Sequence, residues 1–191
     1  MELELSHFLH SFIILFIIMD PFSSVPVFFA LTRKFSKHKR QEAAMIAALV
    51  AACVSLSFLL IGPFILDLMQ IRLESFQIAG GLLMLLIAIS FALGIDFGKR
   101  QNTPVEAVVI GVPMLAGPGV ILTSLLLSNS VGLLPVVFAL VATCSASFLI
   151  LYFSEFLQSA FGEKGLEILS RVMGILLAAF AVEYIRKGLG I

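Results

Sequence analysis

Charged side chains are scarce in this chain, and the scarcity excludes whole classes of protein. Asp, Glu, Lys and Arg make up 13% of the 191 residues against 60% hydrophobic, with a mean hydropathy of +1.12. That is too little charge to cover a water-soluble domain, so the bilayer is the expected solvent. Two cysteines, Cys53 and Cys144, are too few for a disulfide framework or a closed zinc site. Both fall in apolar stretches and read as packing residues. The formal net charge is zero, so overall charge favours no partner, nucleic acid included. Zincin His-Glu motifs, phosphate loops and nucleophile elbows are all missing, and no His or Lys stands near Ser23 or Ser24 to act as a base. An enzyme is not expected. His7 and His10 lack a carboxylate or Cys at ligand spacing and read as interfacial.

Long apolar stretches take the place of charge. A spanning helix needs about 20 mostly apolar residues, and six stretches qualify: residues 8–31, 43–66, 76–94, 107–127, 133–153 and 168–185. The expectation is an all-α integral membrane protein, a single transmembrane domain over residues 1–191. The opening Met-Glu-Leu-Glu lacks the basic n-region of a signal peptide, so the first stretch reads as retained. The 14 glycines suit close helix approach in lipid, Ala79-Gly80-Gly81 being the clearest case.

With the N-terminus outside, the inner loops hold Arg33, Lys34, Lys37, Lys39, Arg40, Lys99, Arg100, Lys164 and Arg171. The outer side then holds only Arg72, Arg186 and Lys187. This asymmetry follows the positive-inside rule and leaves both termini outside. The basic run at 33–40 reads as a loop beside anionic headgroups rather than a nucleic-acid patch.

Two of the six stretches are interrupted at their centres. Asp20-Pro21-Phe22-Ser23-Ser24-Val25-Pro26 breaks the first, and Pro113 with Gly117-Pro118-Gly119 breaks the fourth. Proline removes a backbone donor and clashes with the preceding turn. Unpaired backbone at that depth is tolerable only inside protein or beside a polar cavity. The helices are expected to restart around residues 25–28 and 119–123, with positive N-termini that favour a carboxylate. Asp20, free carbonyls and the hydroxyls of Ser23, Ser24 and Thr123 favour an ammonium group or a small cation. A zwitterion satisfies both, and no basic residue lies near the midplane to favour phosphate or a dicarboxylate. The candidate substrate site is thus Asp20, Pro21, Ser23, Ser24, Pro26, Gly117, Pro118, Gly119 and Thr123. Asp20 could equally cap the restarted helix.

The third stretch carries Ile78-Ala79-Gly80-Gly81-Leu82-Leu83-Met84 and the sixth a weak echo, Arg171-Val172-Met173-Gly174-Ile175-Leu176-Leu177. With the broken stretches first and fourth, the chain reads as two three-span repeats, about 1–94 and about 105–191. An odd number of spans per repeat makes the pair inverted, the arrangement used for alternating access.

Residues 20–28 with Leu31-Thr32, Gly117-Pro118-Gly119-Val120-Ile121 and Phe76-Gln77-Ile78-Ala79-Gly80-Gly81 resemble the MarC family of six-span inner-membrane proteins over essentially the whole chain. Members include neutral amino acid transporters, so the resemblance implies one of the glycine and alanine type. Ser23 and Ser24 stand where members often have Gly and Asn, and Val120 where Ala is common. Glu183 stands where Gln is expected, either as a second titrating carboxylate or as a snorkelling neighbour of Arg186 and Lys187. The expected function is a secondary transporter of small neutral amino acids working by alternating access. Coupling would use a proton on Asp20 or a sodium ion held by free carbonyls. The alternatives are an exporter or channel for another small solute, and a non-transporting scaffold whose breaks serve packing.

Overall fold

Helix is the only regular secondary structure among the residues described, 2–94 and 115–191 of a computed structural model. In chain order these are α1 (Glu2–Met19), α2 (Pro21–Leu31), α3 (Lys37–Leu68), α4 (Leu73–Leu93), α5 (Pro118–Val131), α6 (Leu133–Tyr152) and α7 (Ser154–Leu189). Five segments are long and apolar enough to cross a membrane: Glu4–Leu31, which joins α1 and α2, then α3, α4, α6 and Lys164–Leu189 of α7. α5 is a shorter apolar helix. Pro113 and the rest of 107–114, with Lys99 and Arg100, lie outside the described residues.

The helices run further than hydropathy alone suggests. α3 starts inside the basic run because Ser36 caps it, its Oγ accepting from the Lys39 N–H at 3.4 Å. α7 starts at Ser154, well before residue 168, and turns at Gly162, whose φ of 66° lies in the region that glycine tolerates.

Packing is that of a protein dissolved in lipid. The buried face of α3 is Ala43, Ala44, Ala47, Ala48, Ala51, Ser55, Leu59 and Gly62, at helical spacing. Its bulky residues, such as Leu60 and Phe64, point outward. α6 repeats the pattern, with Ala139, Thr143 and Ser147 inside and Leu134 and Phe138 outside. Large apolar side chains gain nothing by leaving hydrocarbon, whereas small ones let backbones approach. The inward hydroxyls of α6 are satisfied within their own helix: Thr143 donates to the Ala139 carbonyl at 2.8 Å and Ser147 to the Thr143 carbonyl at 2.9 Å. Of the two cysteines only Cys144 packs inside. Cys53 is exposed, because it follows the outward-turned Leu49 and Val50 by one helical turn.

The most extensive helix pair is α4 with α7. The two run antiparallel and almost touch at their glycines. A methyl on Gly81 would lie 2.9 Å from the Ala181 carbonyl oxygen and 2.7 Å from Ile185 Cγ1. A methyl on Gly174 would lie 3.0 Å from the Ala88 carbonyl oxygen and 2.8 Å from the Ala92 nitrogen. The two contacts are reciprocal: one constant offset takes Gly81 to Gly174, Ala88 to Ala181 and Ala92 to Ile185.

Candidate functional site

The first break is one residue wide. Pro21 has no N–H to continue α1, and as the first residue of α2 its fixed φ suits a new helix. Asp20 takes the turn alone, in the left-handed region at φ 40° and ψ 65°, which Asp tolerates better than most residues. Its own N–H still donates to the Phe16 carbonyl at 3.1 Å, so α1 stays regular to its end. The restart therefore lies at Pro21 rather than around residue 25, and half-buried Pro26 sits inside α2.

Asp20 is 3% exposed, and each of its carboxylate oxygens accepts one local hydrogen bond. The Ser23 N–H donates to Oδ1 at 3.3 Å, and the Ser23 hydroxyl donates to Oδ2. Ser24, buried beside them, directs its hydroxyl to the Asp20 carbonyl at 3.4 Å. The N-terminus of α2 is thus capped by an internal anion.

Among the described residues no side chain caps the second break. α5 begins at Pro118, one residue earlier than expected, and Gly117 before it has no side chain to cap with. The Gly117 carbonyl accepts from the N–H groups of Val120 at 3.0 Å and Ile121 at 3.3 Å. The two breaks adjoin. A methyl on Gly119 would lie 3.0 Å from Ile18, two residues before Asp20, and 3.1 Å from Met84. Ser24 and Leu115 line one small void of about 10 Å³ with Phe28, Leu31 and Leu151, room for about one water. Ser147 fastens the end of α1 by donating to Met19 Sδ at 3.1 Å.

The nine expected site residues are thus only partly gathered. Asp20, Ser23 and Ser24 form one hydrogen-bonded group next to buried Pro21, while Gly119 packs on Ile18 and Met84. Pro118 is exposed. Thr123 is fully buried, its hydroxyl lacks a partner, and it looks across to Tyr184 of α7 rather than to Asp20.

A cavity of about 550 Å³ lies at the end of the bundle where α4 begins and α7 ends. Its walls include His10, Gln77, Asn129, Glu183, Tyr184 and Lys187, and none of the nine. Glu183 pairs with Arg186 at 2.9 Å and Lys187 at 3.6 Å, as a snorkelling carboxylate would. In sequence, Gln77, Asn129 and Tyr184 look like ordinary span-end polar residues. Only their convergence from three helices marks a cavity.

An all-helical body with lipid-facing bulk, buried hydroxyls and broken helices defines a multi-pass integral membrane protein. The family model for MarC family integral membrane proteins matches residues 5–190, so the chain belongs to the MarC family. It is 32% identical to the UPF0056 membrane protein MJ1677 of Methanocaldococcus jannaschii, covering 98% of both chains. Against the UPF0056 inner membrane protein YhgN of Escherichia coli K12 it is 33% identical over 93% of both. The Bacillus subtilis UPF0056 membrane protein YvbG is 29% identical, over 96% of this chain and 94% of its own. No solved structure matches.

Proposed function

We propose that this chain is a secondary transporter of small neutral amino acids of the glycine and alanine type, working by alternating access in the inner membrane. The observation that carries the reading is the meeting of two interrupted helices. One break holds a buried carboxylate, the other an uncapped helix N-terminus, and Ile18 and Gly119 touch between them. The uncapped α5 terminus favours a solute carboxylate. Asp20 with the Ser23 and Ser24 hydroxyls favours an ammonium group. α2 is no second anion site while Asp20 caps it, so the carboxylate belongs at α5. Coupling runs through a proton on Asp20 or a sodium ion at the freed carbonyls.

Two features support alternating access between inverted repeats. Among the described residues, space of about 550 Å³ lies at one end of the bundle against about 10 Å³ beside Ser24, as expected of a carrier open to one face. The reciprocal glycine contacts of α4 and α7 are what a pseudo-two-fold axis in the membrane plane would produce between the third and sixth of six spans. Location in the inner membrane draws on the name of the Escherichia coli relative.

The test is a thermal-shift screen of the detergent-solubilised protein against the common amino acids, with and without sodium. A ligand at a hundredfold excess over its Kd stabilises the folded state by about 2.7 kcal/mol. Glycine, alanine or serine should raise Tm by several degrees, and Asp20→Asn should remove the response. Asn tolerates the left-handed turn and still caps α2, so this variant is expected to fold. An unchanged response in Asp20→Asn would take Asp20 out of the site. Silence to every amino acid would leave another small solute, exported or conducted, or a scaffold.

A further inference from the structure

One buried side chain faces both the large cavity and the middle of α5. Tyr184 lines the cavity and is itself only 6% exposed. Its hydroxyl lies beside Thr123, whose Oγ1 is buried without a hydrogen bond of its own. Thr123 stands one helical turn beyond Gly119, and Gly119 meets Ile18, two residues before Asp20 in sequence. From cavity to midplane the order is therefore Tyr184, Thr123, Gly119, Asp20.

The two hydroxyls face each other, so the Tyr184 ring lies between the cavity and Thr123. The cavity of about 550 Å³ adjoins the ring, so a rotamer change of Tyr184 toward it would uncover Thr123. The cavity rim is polar, lined by His10, Asn129 and the paired Glu183 and Lys187, which suits a polar solute arriving from water. Side-chain hydroxyls and a carboxylate then follow inward.

We propose that the cavity is the vestibule of the transport path and that the Tyr184 ring is the closure between it and the midplane site. This rests on the transport reading above, though not on which solute is carried.

The experiment uses the full chain in membrane vesicles, in a Cys53→Ala, Cys144→Ala background, and a small charged thiol reagent that cannot cross the bilayer. Thr123→Cys reports the far side of the ring, and Ser130→Cys reports the cavity wall. An open rotamer populated at roughly 0.1–10% slows labelling of Thr123→Cys about tenfold or more relative to Ser130→Cys. Tyr184→Ala should bring the two rates together, whereas Tyr184→Phe should keep Thr123→Cys slow because the ring is retained. If Tyr184→Ala does not fold, Tyr184→Leu replaces it, with faster Thr123→Cys labelling expected. Fast labelling of Thr123→Cys behind an intact Tyr184, or slow labelling after the ring is removed, would overturn the proposal. No amino acid enters this assay. Labelling as expected beside a silent thermal-shift screen would therefore uphold the closure and reject only the choice of solute.

Discussion

Arg40 is the basic residue of the 33–40 run that turns inward, while Arg33, Lys34, Lys37 and Lys39 stay exposed. Its Nη1 donates to Glu155 Oε2 at 2.8 Å, its Nη2 donates to the Thr32 carbonyl at 3.4 Å, and its guanidinium stacks over Phe29 at 5.0 Å. One side chain thus ties the end of α2 to the starts of α3 and α7. The Glu155 side chain is 60% exposed, so the ion pair itself is worth little, and the stack and carbonyl contact carry most of the effect. Arg40→Ala is expected to cost about 2 kcal/mol, a fall in Tm of roughly 4–8 °C, and Glu155→Gln well under half of that. Arg40→Lys should recover little, since an ammonium cannot fork or stack in the same way. Equal losses in Arg40→Ala and Glu155→Gln, read by thermal denaturation, would shift the weight to the ion pair. In sequence the run looks uniform, five like charges near a span end, and nothing local distinguishes Arg40. Its inward turn follows from α3 starting at Lys37, which sets Arg40 facing α2. Asp20 is the opposite case: its chemistry is local, so both its break and its capping role are legible before any fold is known.

Among elements, the breaks were readable because Pro and Gly act on their own backbone, while their extents were not. The first restart moves from residue 25 to Pro21 because a side chain cap closes the turn within one residue. The glycine-rich third span was readable as a close approach, but its partner is a tertiary fact. Glycine methylation separates two kinds of close approach. On Gly174 and Gly81 a methyl meets backbone atoms of the facing helix at 3.0 Å or less, and a backbone cannot swing away. On Gly62 it meets only the Leu125 side-chain tip, at 3.0 and 3.1 Å, which can rotate. Gly174→Ala and Gly81→Ala should each destabilise by about 1–3 kcal/mol through overpacking. Gly62→Ala should be near neutral, the better helix propensity of Ala offsetting a small adjustment by up to about 1 kcal/mol. Matching losses at Gly174 and Gly81 are also what the reciprocal contact requires. A loss at one and none at the other, measured in the same detergent, would break the equivalence of α4 and α7.

For the whole molecule, the side that faces the cytoplasm decides what the one-sided space means. The cavity end carries Arg72, Arg186 and Lys187, and the opposite end carries the 33–40 run with Lys164 and Arg171, so the positive-inside rule turns the cavity outward. Lys37 is an exposed reporter for the basic end, and unlike Ser36 it caps no helix. In the cysteine-free background, Lys37→Cys should resist an impermeant thiol reagent in intact cells and react in everted vesicles, with Ser130→Cys behaving the other way. That pattern would place the cavity on the outer face and, on the transport proposal, make it the entry for solute, with the packed region at Ser24, Phe28 and Leu151 on the inner side. The reverse pattern would leave the fold, the breaks and the Tyr184 closure as they stand while turning the vestibule toward the cytoplasm. The same two rates therefore decide whether glycine or alanine should be offered from outside or loaded within vesicles when transport is first measured.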